Sequence, residues 1–278
     1  MRAWRFGRAL MDAAGEQNVG LISAGIAFYG LFAVFPAMAA LIAIFGLIAD
    51  PSVAYAQLEM LAEFMPAGAY ALIEAQLLSL LSAPSQALGW ATLLSLGIAL
   101  WSARAGVAAL VLGLNAIYGT PNRGGARHIM VAMLLTLSLI GMAVIALFMV
   151  VIAPIAIALL PLQTETEQLL ELIRWIVAIT TLLAALGLLY RYGPNRSGAR
   201  MSWLTPGALL VVLAWFAASA GFSLYVANFG SYNEVYGSIG AVVALLMWLY
   251  ISAYLILLGA VMNVALERTS RKSALKDT

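Results

Sequence analysis

Cysteine is absent from this chain, and charge is scarce: only 9% of its residues are Asp, Glu, Lys or Arg. The first absence excludes disulfides, thiolate metal ligands and thiol nucleophiles, and says nothing about redox compartment. The second argues against a soluble domain, which carries roughly a quarter charged residues and without them would expose large apolar patches. A formal charge of +2 is too small and too dispersed to mark a nucleic-acid surface. There is a single histidine, His128, and no HExxH run, paired-Asp cluster or phosphate-cradling glycine loop. No metal site, cofactor or catalytic set is therefore expected, and the chain is read as not an enzyme.

What the sequence does have is apolar surface: 64% hydrophobic residues and a mean hydropathy of +1.00. A helix needs about 20 apolar residues to cross a bilayer. Six stretches meet that need, roughly 22–48, 88–118, 129–160, 169–190, 204–228 and 237–265. Barrel strands would instead be about ten residues long and alternating. The expectation is an all-α, polytopic integral membrane protein with six transmembrane helices in a single domain. The first run is too long for a signal peptide and five more follow it, so it is read as a retained anchor.

Charge then orients the spans. Arg2, Arg5 and Arg8 precede the first, whereas the segment from Asp50 to Gln86 holds four acids and no Lys or Arg. TPNRGGARH (120–128) is basic, PLQTETEQ (161–168) acidic, RYGPNRSGAR (191–200) basic, loop five carries only Glu234, and the tail 268–278 is basic. The positive-inside rule predicts both termini in the cytoplasm. Residues 1–20 read as an interfacial helix, with a frayed tail as the alternative. The segment 51–86 is too long for a bare loop and is expected to form short outer helices, a small cap.

The block 204–268, with NFGSYNEVYGSIGA (228–241) inside it, is accompanied by SAGIAFYGLFAVFPAMAAL (23–41), WSARAGVAALVLGLNAIYG (101–119) and LYRYGPN (189–195). Together these resemble the YihY/virulence factor BrkB family over nearly the whole chain. The resemblance implies a six-span protein of the bacterial inner membrane. Members of that family carry labels as ribonuclease BN, serum-resistance factor and transporter, with lipids or envelope components as suggested cargo. Where relatives often read GAELNA this chain reads GAVMNV (259–264), so Val261 stands where the resemblance implies a glutamate. No proton-coupled mechanism through that helix is expected.

The polar residues inside the spans are the candidate site. Trp101, Arg104, Ala108, Val111, Asn115 and Tyr118 share one face of span two, and Arg104 lies about 22 Å before Gly119, near mid-membrane. An arginine there needs an anion or several carbonyls, or must snorkel outward. Arg104, Asn115 and Tyr118 are candidates for binding an anionic group, and Asn263 for a polar contact between helices. In the loop 228–240, Asn228, Tyr232 and Tyr236 are candidate ligands if it dips into a cavity. Alternatively the loop is a well-made turn with an aromatic belt, in which Gly230, Gly237 and Gly240 permit tight bends. Pro36 is a candidate kink or hinge in span one, and Ala24, Gly25, Ala27 and Gly30 would let another helix approach.

The expected partners are the phospholipid membrane and an anionic lipid or small anionic substrate, with no nucleic acid. The residues are compatible with a homo-oligomer without specifying one. The function expected is a transporter, or a translocator of lipid or an anionic envelope component. The alternative is a non-transporting envelope scaffold that binds partners.

Overall fold

The computed structural model describes residues 2–48, 85–149, 164–196, 201–227 and 238–274. Seven α-helices and no strand lie among them: α1 Arg2–Glu16, α2 Val19–Ile48, α3 Ser85–Tyr118, α4 Gly125–Leu147, α5 Thr164–Tyr192, α6 Pro206–Ala227 and α7 Ser238–Ala274. The α-helical residues described in each of the six apolar stretches fall on one helix from α2 to α7. Among the described residues five helices are long and apolar enough to cross a membrane, or up to six if the bent pair α1–α2 counts as one span.

The bend between α1 and α2 is 66°. It occurs at Asn18, whose φ of 52° is left-handed, a conformation asparagine tolerates better than most side chains. α1 packs Leu10, Ala13 and Ala14 on the core and leaves Trp4, Arg8, Met11 and Asp12 exposed, as an amphipathic helix must. α2 then runs helical from Val19 through Pro36 to Ile48.

Helices α2 to α7 form a ring in chain order, each against the next, closed by α7 packing on α2 and braced by a crossing contact between α3 and α7. Small residues set the closest approaches. Gly106 of α3 lies against the backbone of Gly30 in α2, and Ala27 is buried. Ala24 and Gly25, expected to share that role, are exposed, with no neighbour within 4 Å of a Cβ at Gly25. The packed side of α2 is the one bearing Ser23, Ala27 and Gly30, because residues three and four apart share a helical face.

The ends of the basic segments meet at one end of this ring, tied by Arg123 to Gly193, by Asn263 to Gly207 and by Arg196 to Glu267. The buried core sits beside this basic end: Leu110, Leu114, Ile117, Leu186, Leu189, Tyr190, Ala208, Val211, Val212, Leu257, Ala260 and Val261 among others. On α4 to α7, none of the described side chains farther from the basic end than Thr136, Ala178, Val212 and Ala253 is buried. Toward the other end the described bundle loosens.

Two boundaries differ from expectation. Gly240 lies in the first turn of α7 and is a helical residue, not part of a turn. α7 also outlasts its apolar run, carrying Arg268, Arg271 and Lys272 on a continuous helix to Ala274. The apolar pattern marks where the apolar side chains end, whereas backbone hydrogen bonding continues for as long as the side chains permit a helix. The expected outer cap at 51–86 falls almost wholly outside the described residues.

Candidate functional site

α3 ends at Tyr118 because Gly119 takes a left-handed φ of 62°. Gly119 N–H donates to Ala116 O (3.2 Å) and Thr120 N–H to Asn115 O (2.9 Å). This is a Schellman closure, which satisfies the last carbonyls of the helix and turns the chain into the loop 120–124. α5 ends at Tyr192 because Gly193 and Pro194 follow, and proline has no N–H with which to continue a helix. The terminal carbonyls of α5 are thereby left without helical donors.

Arg123 supplies the donors. Its guanidinium gives Nη1–H to Gly193 O (2.5 Å) and Nη2–H to Tyr192 O (3.1 Å) and Pro194 O (2.9 Å). A cation at a helix C-terminus is favoured by the macrodipole as well as by these bonds. Burial, and next the charge of Arg127, lower the affinity of Arg123 for its proton from the ordinary value.

Asn115, 1% exposed, knits the same two loops together. Its Oδ1 accepts Asn195 N–H (2.8 Å) and Thr120 Oγ1–H (3.0 Å), and its Nδ2 donates to Asn122 Oδ1 (3.0 Å). Asn195 Nδ2 returns a bond to Pro121 O (3.0 Å). Tyr118 donates to Met201 Sδ (3.1 Å), and the Arg196 guanidinium lies 5.2 Å from the centre of its ring while pairing with Glu267 (2.6 Å). Asn263, also buried, accepts Gly207 N–H (2.8 Å) and donates to Thr205 Oγ1 (3.1 Å), which in turn accepts Ala208 N–H (3.1 Å). Thr205 is thus the N-cap of α6, and Asn263 holds that cap from α7. Replacing Asn263 with leucine keeps the number and branching of side-chain heavy atoms but strands a buried N–H, at a cost of about 1–3 kcal/mol. The variant should melt at a lower temperature than the parent in detergent, and an unchanged transition would show that this bond contributes nothing.

The fold separates Arg104 from these groups. It sits eleven residues before Asn115 on α3, about 16 Å along the helix axis. Its guanidinium lies over Trp101, 4.2 Å from the ring centre, and its buried Nε has no hydrogen-bond partner. Trp101 is 56% exposed, whereas Ala108, Val111 and Asn115 on the same stripe are buried. Pro36 is placed by its backbone alone. Asn228, Gly230, Tyr232, Tyr236 and Gly237 lie outside the described residues. Val261 is buried in the core.

Sequence reasoning used Arg123 and Arg127 for orientation only, and missed what they line. Between α4 and α5 at the basic end is a hollow of about 450 Å³, lined by Arg123, Arg127, Leu134, Leu135, Tyr192 and Trp203 among others. A second, of about 470 Å³, follows along the same helix pair between Met142 and Ile145 on α4 and Ile176 to Ala184 on α5. Both fall in the size range of small-molecule sites. The available signal was the spacing of Arg127, Val131, Leu134, Leu135 and Ser138, a single helical stripe headed by a cation. Among the described residues no three of His, Asp and Glu gather as metal ligands would.

A ring of long apolar helices, stapled at its basic end by buried amides and arginines, defines a multi-pass α-helical membrane protein. The chain belongs to the family described as virulence factor BrkB, whose profile matches residues 10–278. It is 29% identical over 256 residues to YfkH of Bacillus subtilis (strain 168), named as a ribonuclease-like protein, and the match covers 90% of each chain. It is 33% identical over 93 residues to the UPF0761 membrane protein IL2447 of Idiomarina loihiensis, covering 34% of this chain and 32% of that one. It is also 37% identical over 103 residues to the UPF0761 membrane protein XCC0860 of Xanthomonas campestris, covering 36% of this chain and 24% of that one. No solved structure matches.

Proposed function

We propose that this protein is a translocator of the bacterial inner membrane, with its basic end and both termini in the cytoplasm, and that it moves a lipid or another anionic envelope component without catalysing a reaction. The observation that carries this reading is the asymmetry of packing: the bundle is closed by a bonded network at the basic end and loosens toward the other among the described residues. A protein that admits cargo from one side while remaining closed on the other requires such an arrangement. Arg104 lies above the closed end with its charge over an exposed indole rather than against an acid, so an anionic group could replace the ring. The ion-paired carboxylates Glu171 and Glu267 are each committed to an arginine, which favours a structural over an acid–base role for both. The cytoplasmic placement rests on the positive-inside rule applied to Arg123, Arg127, Arg191 and Arg196.

Reconstitution tests the activity. Vesicles containing the protein and fluorescently labelled phosphatidylglycerol should lose clearly more of their signal to an external reductant than protein-free vesicles, whose loss stops at the outer leaflet. Equal loss in both would dismiss translocation of this lipid. Orientation can be read separately, because the chain lacks cysteine and a single Thr120→Cys substitution introduces the only thiol. An impermeant maleimide should label it only after the inner membrane is opened.

A further inference from the structure

We propose that the α4–α5 groove is a binding site for one anionic glycerophospholipid of the cytoplasmic leaflet, its phosphate held by Arg127 beside Arg123 and one acyl chain lying along Val131, Leu134, Leu135 and Ser138. The inference rests on the orientation proposed above, but not on transport.

Charge complementarity identifies the headgroup. Both arginines of the groove lie at its mouth, and no acid lines it. Arg127 is exposed and takes no part in either ion pair found among the described residues. Arg123 beside it is occupied by carbonyls, which bear no net charge to offset its own. Two cations side by side without a carboxylate favour a phosphate. The mouth also carries Tyr192 and Trp203, with ring centres 6.1 Å apart and the Arg191 guanidinium within 5.7 Å of each. Tyrosine and tryptophan concentrate at headgroup level, so the mouth lies where a lipid phosphate does.

Length identifies the tail. From Arg127 to Ser138 is eleven residues, about 16 Å of helix, close to half of a hydrocarbon core of about 30 Å. The first hollow thus matches one leaflet. Below the mouth its wall is Val131, Leu134, Leu135 and Leu188, with Ser138 at the far end satisfying its hydroxyl on Leu134 O (2.9 Å). Val131, Leu134, Leu135 and Leu188 offer a polar solute no side-chain partner.

Native mass spectrometry of the purified full-length protein, given equal amounts of phosphatidylglycerol and phosphatidylethanolamine, tests the site. The parent should retain phosphatidylglycerol preferentially. Arg127→Gln should reduce that retention about fivefold, as expected for one basic residue at an anionic headgroup, with the melting temperature unchanged. Ser138→Trp, which leaves both arginines in place, should displace the lipid by filling the track, whereas Leu213→Trp on the exposed face of α6 should not. The site is refuted if the parent shows no headgroup preference, if Arg127→Gln retains phosphatidylglycerol like the parent, or if Leu213→Trp loses it as fully as Ser138→Trp. Retention that behaves as expected in a protein inactive in vesicles would sink translocation and leave the lipid site standing.

Discussion

Gly207→Val is expected to remove folded protein from the membrane almost entirely. Gly207 marks the crossing of α6 and α7, where a Cβ would collide with Gly259 O and stand 2.5 Å from Asn263 Oδ1. On the facing helix, a Cβ at Gly259 would collide with the Tyr190 hydroxyl and with Val211 Cγ2. Backbone cannot yield as a flexible side-chain end does, so the helices must part. Parting them breaks the bond from Gly207 N–H to Asn263 Oδ1 and loosens Tyr190, whose hydroxyl donates to Ile256 O (2.7 Å). Overpacking of this kind costs about 1–3 kcal/mol, and each lost bond adds about 1 kcal/mol. Gly25→Ala provides the contrast, since a Cβ there meets nothing and alanine is the better helix former by about 0.5–1 kcal/mol. Yield of monodisperse protein and its thermal transition in detergent are the readouts. A Gly207→Val protein that melts like the parent would show that α6 and α7 do not cross here.

Arg123→Ala is expected to cost about 3 kcal/mol or more, because it leaves the buried carbonyls of Gly193 and Pro194 without donors. Arg123→Lys should recover only part of the loss. A lysine carries the same charge, but its point-like ammonium cannot reproduce a planar fork that reaches three carbonyls. Thermal unfolding of both variants in detergent separates charge from geometry. If the lysine variant matched the parent, charge alone would hold the loops together, and the three-carbonyl clasp would be of no consequence. Neither result bears on the lipid site, which is tested through Arg127.

That the chain is built of long apolar helices was legible because hydropathy is a local property, readable from about twenty consecutive residues. The helix ends were less so. Gly240 reads as a turn residue by type, yet belongs to α7, because a glycine in a helix loses only about 1 kcal/mol against alanine and tertiary packing overrides that. Asn115 and Asn263 stood out as polar residues in apolar runs, but their acceptors and donors did not. Asn115 is bonded to Asn195, eighty positions away, through a backbone N–H, a group that every residue except proline possesses. Arg104, Asn115 and Tyr118 shared a helical stripe in the sequence. The stripe is real, but its length puts Arg104 in a different environment from Asn115 and Tyr118.

The sequence by itself determined that this is a membrane protein of apolar helices with basic and base-free connections alternating, since hydrocarbon selects residues one at a time and charge counts need no neighbours. Only the tertiary structure decided what the arginines do. Arg123 becomes a clasp by meeting Gly193, seventy positions away, and Arg127 the head of a groove through the convergence of α4 and α5. Hydropathy cannot encode that pairing, because in lipid one apolar face resembles another, and close packing and hydrogen bonds choose the neighbour instead.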